Sequence, residues 1–218
     1  MRKLISGHSR EQSRGEEFAN SISHGIALVA VLVGTPFLVV NAVQQGALGL
    51  IVGTCVFSAT AILLYLSSTL YHALSPGRAK RHFRTIEHSA IFLLIAGTYT
   101  PFALGVLQGV WGWTLFGLIW SLAVVGVTLK VFNSLSHPFL STGLYLLMGW
   151  LVIIAVNPLL TRVPTAGLLW LLAGGLSYTI GVVFFVTDSK LRYGHLLWHF
   201  FVIGGTSCHY FAILWYAA

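Results

Sequence analysis

Seven long apolar runs follow one another along the chain and constrain its fold more than any other feature of the sequence. A transmembrane α-helix needs about 20 consecutive, mostly apolar residues. Only 8% of the 218 residues are charged, whereas a soluble domain carries about 25%, so too few charges remain to cover a water-facing surface. The sequence therefore predicts an all-α membrane protein, a seven-transmembrane-helix bundle that is multi-pass in the cell membrane. The predicted spans are residues 21–43, 47–73, 86–107, 111–131, 139–158, 165–187 and 194–216.

The distribution of lysine and arginine predicts the orientation of this bundle. Cytoplasmic loops of membrane proteins carry an excess of these residues. If the N-terminus is cytoplasmic, only Arg162 lies in an outer segment. This asymmetry predicts a cytoplasmic N-terminus and an external C-terminus, with a cytoplasmic N-terminal tail at residues 1–20 and a transmembrane domain at residues 21–218. The inner residues are Arg2, Lys3, Arg10, Arg14, Arg78, Lys80, Arg81, Arg84, Lys130, Lys190 and Arg192.

The net charge of +7 lies in the tail and in short loops between apolar runs. We therefore interpret the basic residues as topology signals and as contacts with anionic headgroups, and we expect membrane lipids, not nucleic acid, as partners. The polar tail lacks the early apolar core of a cleavable secretory signal. Cys55 and Cys208 lie inside apolar runs, where each is expected to pack as a small hydrophobe.

Polar residues stand at the cytoplasmic ends of three predicted helices, at a depth where an ionisable side chain is costly and usually functional. His195 and His199 are four residues apart at the start of the seventh run, so both project from one face. His72 ends the second run, with Ser68 one turn earlier, and Glu87 opens the third. Three imidazoles and a carboxylate at one depth suit a catalytic-type metal site, in which three protein ligands leave a fourth position open.

The same residues also allow plainer interpretations. Histidines at a membrane boundary often bond to lipid headgroups, and Glu87 could pair with Arg84, three residues earlier on the same helix. His24, near Asn20 at the start of the first run, could support the site, contact a substrate or be an ordinary interfacial histidine. Imidazole also suits several divalent metals, so spacing alone does not select one.

The remaining histidines are not expected to bind the same metal. His209 lies about 15 Å along the seventh helix from His199, which is too far, and is expected to be a buried hydrogen-bonding group. His88 points about 100° away from Glu87 around their shared helix. His8, His82 and His137 are expected in the tail or in loops.

Four stretches of the chain resemble the bacterial hemolysin III family, which belongs with the progestin and adipoQ receptors, including the adiponectin receptors. They are residues 16–25, Ser68 to His72, residues 87–101 with the sequence EHSAIFLLIAGTYTP, and residues 195–209 with the sequence HLLWHFFVIGGTSCH. The combination of Ser-x-x-x-His, an acidic residue opening the third helix and His-x-x-x-His opening the seventh is specific, and the resemblance covers essentially the whole chain.

The resemblance implies a seven-helix fold inverted relative to G-protein-coupled receptors, in the bacterial plasma membrane. It also implies a Zn²⁺ ion bound near the cytoplasmic side by three histidines, which here are His72, His195 and His199. The family's serine falls on Ser68, and its acidic residue, usually aspartate, falls on Glu87. Because the glutamate side chain is longer, it could reach the zinc directly or displace the water there.

The resemblance suggests zinc-dependent hydrolysis of an amide lipid, of the ceramidase type, with Glu87 as general base and Ser68 orienting the substrate or stabilising an oxyanion. A small lipid would then be the substrate or ligand. The alternative is a non-enzymatic sensor or regulator of membrane and lipid homeostasis, in which structural zinc pins the second, third and seventh helices together. A pore-forming hemolysin is disfavoured, since the polar residues cluster at one end of the helices and do not line a whole face.

Overall fold

Eight α-helices make up most of the computed structural model, which describes residues 10–132, 134 and 138–217. Within these residues they form seven segments long and apolar enough to cross a membrane, so the predicted seven-helix bundle is confirmed and the chain is a multi-pass membrane protein. The predicted tail and loop residues Arg2, Lys3, His8 and His137 lie outside the described residues. The helices are α1 (Arg14–Gln45), α2 (Leu48–Ala73), α3 (Arg78–Pro101), α4 (Gly109–Val131), α5 (Pro138–Trp150), α6 (Val156–Arg162), α7 (Thr165–Thr187) and α8 (Gly194–Tyr216).

Two of the seven segments are not continuous α-helices, and a proline lies near each irregularity. After Pro101, α3 continues as a π-helical stretch, Phe102–Leu107. A 3-10 stretch, Leu151–Ala155, joins α5 to α6, and the three together form the fifth segment. A proline inside a helix removes one backbone N–H donor, and its ring displaces the carbonyl four residues earlier. This displacement accounts for the 3-10 stretch, which includes Ile154, four residues before Pro158, whereas the π-helical stretch follows Pro101.

The apolar runs predict some helix ends better than others. α7 and α8 begin and end at the predicted residues. α1 begins earlier, at Arg14, because Ser13 and Glu16 form a capping box. The Ser13 hydroxyl accepts a hydrogen bond from the Glu16 N–H (3.4 Å), and the Glu16 carboxylate accepts one from the Ser13 N–H (2.9 Å). The last polar residues before the first apolar run therefore continue the membrane helix.

α2 and α3 form the centre of the bundle, where Phe57 and Phe92 are almost fully buried. α1 packs on α2 and α8, α4 packs on α3, and α7 packs on α8. The outer faces of α1, α4 and α7 leave large apolar side chains exposed, among them Val33, Val124 and Leu169. Such a surface would be unfavourable in water and is covered by acyl chains in a bilayer.

A close approach of two backbones holds α2 against α3. Gly53 of α2 lies so near Pro101 of α3 that a Cβ atom at Gly53 would overlap the Pro101 backbone. Small residues at helix interfaces allow this contact in membrane proteins, where packing replaces the hydrophobic effect as the force between helices. His72 lies at the other end of α2, and Glu87 lies in the third turn of α3.

The orientation of the bundle stays a prediction, and labelling tests it. We expect the α2–α3 turn to be cytoplasmic and the α6–α7 turn external. In a variant whose Cys55 and Cys208 are replaced by alanine, a membrane-impermeant maleimide added to intact cells should label Thr161→Cys. It should label Ser75→Cys only after the cells are opened. Both positions are exposed. The opposite labelling pattern would show that the predicted orientation is wrong.

Candidate metal centre

Three helices bring together the predicted ligands at one end of the bundle. His72 lies in the last turn of α2, Glu87 lies in the third turn of α3, and His195 and His199 lie in the first two turns of α8. One ligand atom from each of the four residues can be chosen so that all lie within 4.8 Å of one another. His72, Glu87 and His199 are buried and His195 is half-buried. We refer to these four residues as the His/Glu cluster.

Carboxylates form hydrogen bonds with the Nδ1 atoms of two cluster imidazoles, which we call their outer nitrogens. The Nδ1 atom of His72 lies 2.7 Å from Glu17 Oε2, and the Nδ1 atom of His195 lies 3.0 Å from Asp188 Oδ2. An ionised carboxylate only accepts hydrogen bonds, so we assign the proton of each neutral ring to Nδ1. The Nε2 atom of each ring is then an acceptor with a free lone pair, the form that binds a metal.

A hydroxyl group has the same effect on the third imidazole. Ser23 Oγ lies 2.9 Å from the carbonyl of Asn20, to which it donates, and 3.0 Å from His199 Nδ1. Because the hydroxyl hydrogen is used in the first bond, the Ser23 oxygen accepts the second from Nδ1–H of His199. All three cluster imidazoles are therefore assigned the same tautomer, with Nε2 as a free acceptor.

Two of these three acceptors are buried and unsatisfied in the described part of the chain. The Nε2 atoms of His72 and His199 are buried and have no hydrogen-bond partner there, although the great majority of buried polar atoms in proteins have one. His72 Nε2 lies 3.6 Å from Glu87 Oε1. Lone pairs of neutral imidazoles beside a carboxylate form a donor set that suits a transition metal. The His/Glu cluster thus fits a metal ion.

Glu17 connects this cluster to the first turn of α3. Its second carboxylate oxygen, Oε1, lies 2.9 Å from Lys80 Nζ. Lys80 also donates hydrogen bonds to the carbonyls of Tyr71 and Leu74, each at 3.1 Å, so one ammonium group binds both Glu17 and the end of α2. This arrangement places the last turn of α2, and with it His72, against the first turns of α1.

Glu16 joins the N-terminal segment to the start of α8. Arg10 forms a bidentate ion pair with the Glu16 carboxylate, with N–O distances of 2.6 and 2.7 Å. Arg10 also donates a hydrogen bond to the Leu191 carbonyl at 3.2 Å. The Tyr193 N–H donates to Glu16 at 2.8 Å. Tyr193 has a φ of 59°, which a bulky residue adopts only when its surroundings impose it. The N-terminal segment therefore fixes the turn that precedes His195.

Sequence reasoning missed Glu17, Asp188 and Ser23, the residues that orient the imidazoles. Two of them carried a usable signal. The whole chain has five acidic residues, and three of these, Glu17, Glu87 and Asp188, lie at the cluster. In a chain so poor in charge, each acid at the edge of an apolar run is a candidate for a specific role. Ser23 carries no such signal, because serine is common in membrane helices.

Ser68, the second predicted catalytic residue, lies one contact away from the cluster. Its Oγ atom is 2.7 Å from Nδ1 of His24, and the His24 ring stacks on that of His199, with centroids 3.5 Å apart and an angle of 6° between planes. His24 is buried, with 3% of its surface exposed. Of the three interpretations open for His24, its burial and its stacking on a cluster residue favour support of the site over an ordinary interfacial histidine.

The ion-pair alternative for Glu87 is not observed. Within the described ranges its carboxylate has His72 (3.6 Å) and His88 (3.8 Å) as ion-pair neighbours, and not Arg84. The Nδ1 atom of His88 bonds to the Arg84 carbonyl at 2.7 Å, and His88 does not belong to the cluster. Glu87 therefore faces the imidazoles and not the basic turn before it.

A largely apolar cavity lies beside the cluster. Glu87, His195 and His24 line one end of it, and His209 lines it farther along α8. Aliphatic and aromatic side chains of α3, α5, α7 and α8 line the body of the cavity. A cavity with one polar end and an apolar body matches an amphiphile whose head group lies at the cluster. The body includes Ile91, Tyr145, Val182, Phe185, Trp198 and Val202.

Comparisons with known proteins agree over nearly the whole chain. Residues 12–210 match the family model described as Haemolysin-III related. The chain is 43% identical over 201 residues to the Hemolysin-3 homolog of Bacillus subtilis (strain 168), covering 92% of this chain and 94% of that protein. It is 41% identical over 201 residues to Hemolysin-3 of Bacillus cereus, covering 92% and 91%.

A similarity also extends to animals. The Monocyte to macrophage differentiation factor of Homo sapiens is 30% identical over 212 residues, covering 91% of this chain and 83% of that protein. The matched residues include His72, Glu87, His195 and His199. The chain belongs to the haemolysin-III-related family of membrane proteins.

Proposed function

We propose that the His/Glu cluster binds Zn²⁺ and that the protein is a zinc-dependent, ceramidase-like hydrolase of amide lipids, with its site at the cytoplasmic membrane boundary. One observation supports this most strongly. Three imidazoles, each anchored through Nδ1, converge with Glu87, and His195 and Glu87 of this set line the apolar cavity. Catalytic zinc sites use three protein ligands of this kind and keep a fourth position open.

The residues around the cluster suit hydrolysis at a carbonyl group. Bound zinc would polarise the amide carbonyl and lower the pKa of a water molecule. Glu87 borders both the imidazoles and the cavity, so its carboxylate can take a proton from the attacking water and pass it to the leaving amine. Ser68 is a positioning residue in this proposal, because its hydroxyl is bonded to His24 and reaches the site through that ring.

The cavity supports a lipid as the substrate. Aliphatic and aromatic side chains make up most of its lining, and Glu87 and His195 of the cluster lie at one end of it, so an acyl chain in the body would bring its first carbonyl to the zinc. The predicted orientation would open the polar end toward cytoplasmic water. Membrane lipids are thus both the surroundings of the bundle and the source of the substrate.

A non-enzymatic regulator with structural zinc is the second candidate. It is favoured by the number of elements that meet at the cluster: α2, α3 and α8 supply its residues, and α1 supplies Glu17 and Ser23. A metal there would clamp four helices and could report on membrane state. Pore formation has no comparable support in the described residues, because the buried charged residues gather at one end of the bundle.

Replacement of Glu87 tests the hydrolase proposal. Glu87→Gln should retain about one zinc per chain and lower the release of fatty acid from N-acylsphingosine in mixed micelles by at least about 100-fold, since a general base contributes 10²–10⁴-fold. Metal content is measured by elemental analysis of the same samples.

Two controls accompany this variant. Glu11→Gln makes the same change at an exposed acid and should leave turnover and zinc unchanged, while Ser68→Ala should lower kcat with zinc retained. Turnover of Glu87→Gln at the wild-type rate would remove Glu87 as the base. If the zinc-loaded wild type releases no fatty acid, the hydrolase proposal is wrong and the regulator with structural zinc is the remaining candidate.

Replacement of Glu17 tests the role of its carboxylate in holding His72. Glu17→Ala should weaken zinc binding by about 10–100-fold, as the loss of an outer hydrogen-bond partner of a ligand histidine does. The affinity is measured by competition with a chromophoric chelator. Glu11→Ala is the matched control, because it makes the same change at an exposed acid in the segment before α1, so zinc affinity should change little. An unchanged affinity in Glu17→Ala would show that His72 does not need this carboxylate.

A further inference from the structure

His24 is held rigidly at the polar end of the cavity and yet is not one of the cluster residues. Its ring stacks on His199, and Tyr65 packs edge-on against it, with centroids 5.0 Å apart and an angle of 77°. It lines the cavity together with Glu87 and His195. Its Nε2 atom is buried and has no hydrogen-bond partner in the described part of the chain.

The bond to Ser68 determines which nitrogen of His24 carries the proton. Ser68 is fully buried, and within the described residues its hydroxyl makes one hydrogen bond, to His24 Nδ1 at 2.7 Å. A buried hydroxyl hydrogen needs an acceptor, so the Ser68 O–H donates to Nδ1. In a neutral imidazole the other nitrogen, Nε2, then carries the proton.

His24 therefore has the tautomer opposite to that of the ring it stacks on. His72, His195 and His199 present lone pairs, which attract a cation, whereas His24 presents an N–H group. A protonated nitrogen cannot bind a metal, so His24 is not a further ligand. A buried N–H without a partner is unfavourable, and an oxygen atom of a ligand in the cavity would satisfy it.

We propose that His24 Nε2–H donates a hydrogen bond to a head-group oxygen, carboxylate or carbonyl, of the amphiphile that occupies the cavity, and that Ser68 positions this donor. The inference rests on the proposed occupancy of the cavity by a lipid, and not on hydrolysis. The two ring contacts and the Ser68 bond keep the donor in place before the ligand arrives, so little reorganisation is needed when the bond forms.

The test measures the binding of dodecanoate, a carboxylate amphiphile, to the zinc-loaded protein in detergent. His24→Phe keeps an aromatic ring against His199 and removes the donor. It should weaken dodecanoate binding by about tenfold or more, as expected for the loss of a hydrogen bond to a charged group. The same variant should keep the zinc affinity of the wild type, because His24 is not a ligand.

His82→Phe is the matched control. It makes the same substitution at a histidine of α3 that is exposed and lies outside the cavity lining. Its dodecanoate affinity should stay within about twofold of the wild type. His24→Gln keeps an N–H donor and should recover most of the affinity, and Ser68→Ala should lose a part of it.

The outcomes separate this inference from the proposed hydrolase. Dodecanoate affinity unchanged in His24→Phe, or loss of zinc from that variant, would overturn the role assigned to His24. If His24→Phe does not fold, an unchanged affinity in Ser68→Ala would overturn the inference as well. His24-dependent binding in a protein that hydrolyses no amide lipid would uphold the inference while the hydrolase proposal fails.

Discussion

The hydrogen bonds to the outer nitrogens of three imidazoles are the interaction on which the rest of the site depends. Glu17, Ser23 and Asp188 each hold an Nδ1 atom, and this leaves three Nε2 lone pairs directed into one small volume. Without these partners each neutral ring could turn or change tautomer and satisfy Nε2 elsewhere. The metal-binding character of the cluster therefore comes as much from these partners as from the histidines themselves.

α1 supplies most of those partners, although it contributes no residue to the cluster. Glu16, Asn20, Ser23 and His24 are buried along one face of α1, at the spacing of three and four residues that aligns side chains on a helix. Polar groups at this depth are unfavourable unless each finds a partner. Their bonds to α2, to α8 and to the turn before α8 stabilise both the helix packing and the geometry of the imidazoles.

The sequence alone predicts the bundle well, because a membrane helix requires an apolar run of a fixed minimum length, which can be recognised in the sequence. α7 and α8 match their runs to the residue, since Thr165 directly follows Pro164 and Gly194 directly follows a polar turn. The early starts of α1 and α3 are harder to predict, because polar residues before an apolar run can form either a helix or a loop. The capping box at Ser13 and Glu16 is a sequence signal for the early start of α1. We find no such signal for α3.

The candidate site divides in the same way. His195 and His199 are predictable from their spacing on one helix, and His72 and Glu87 from their depth in a seven-span topology. The partners Glu17, Ser23 and Asp188 depend on which face of α1 meets α2 and α8, and no periodicity within one segment contains that information. The opposite tautomer of His24 is harder still to predict from the sequence, because it depends on the hydroxyl of Ser68 in another helix.

Elemental analysis of the detergent-purified protein, beside the double variant His195→Ala/His199→Ala, tests the central claim most directly. The account predicts about one zinc per chain in the wild type and none in the double variant, with zinc retained in His82→Ala, a change at an exposed histidine of α3. A folded wild type without bound metal, or a double variant that keeps its zinc, would contradict the assignment of the cluster as a metal centre.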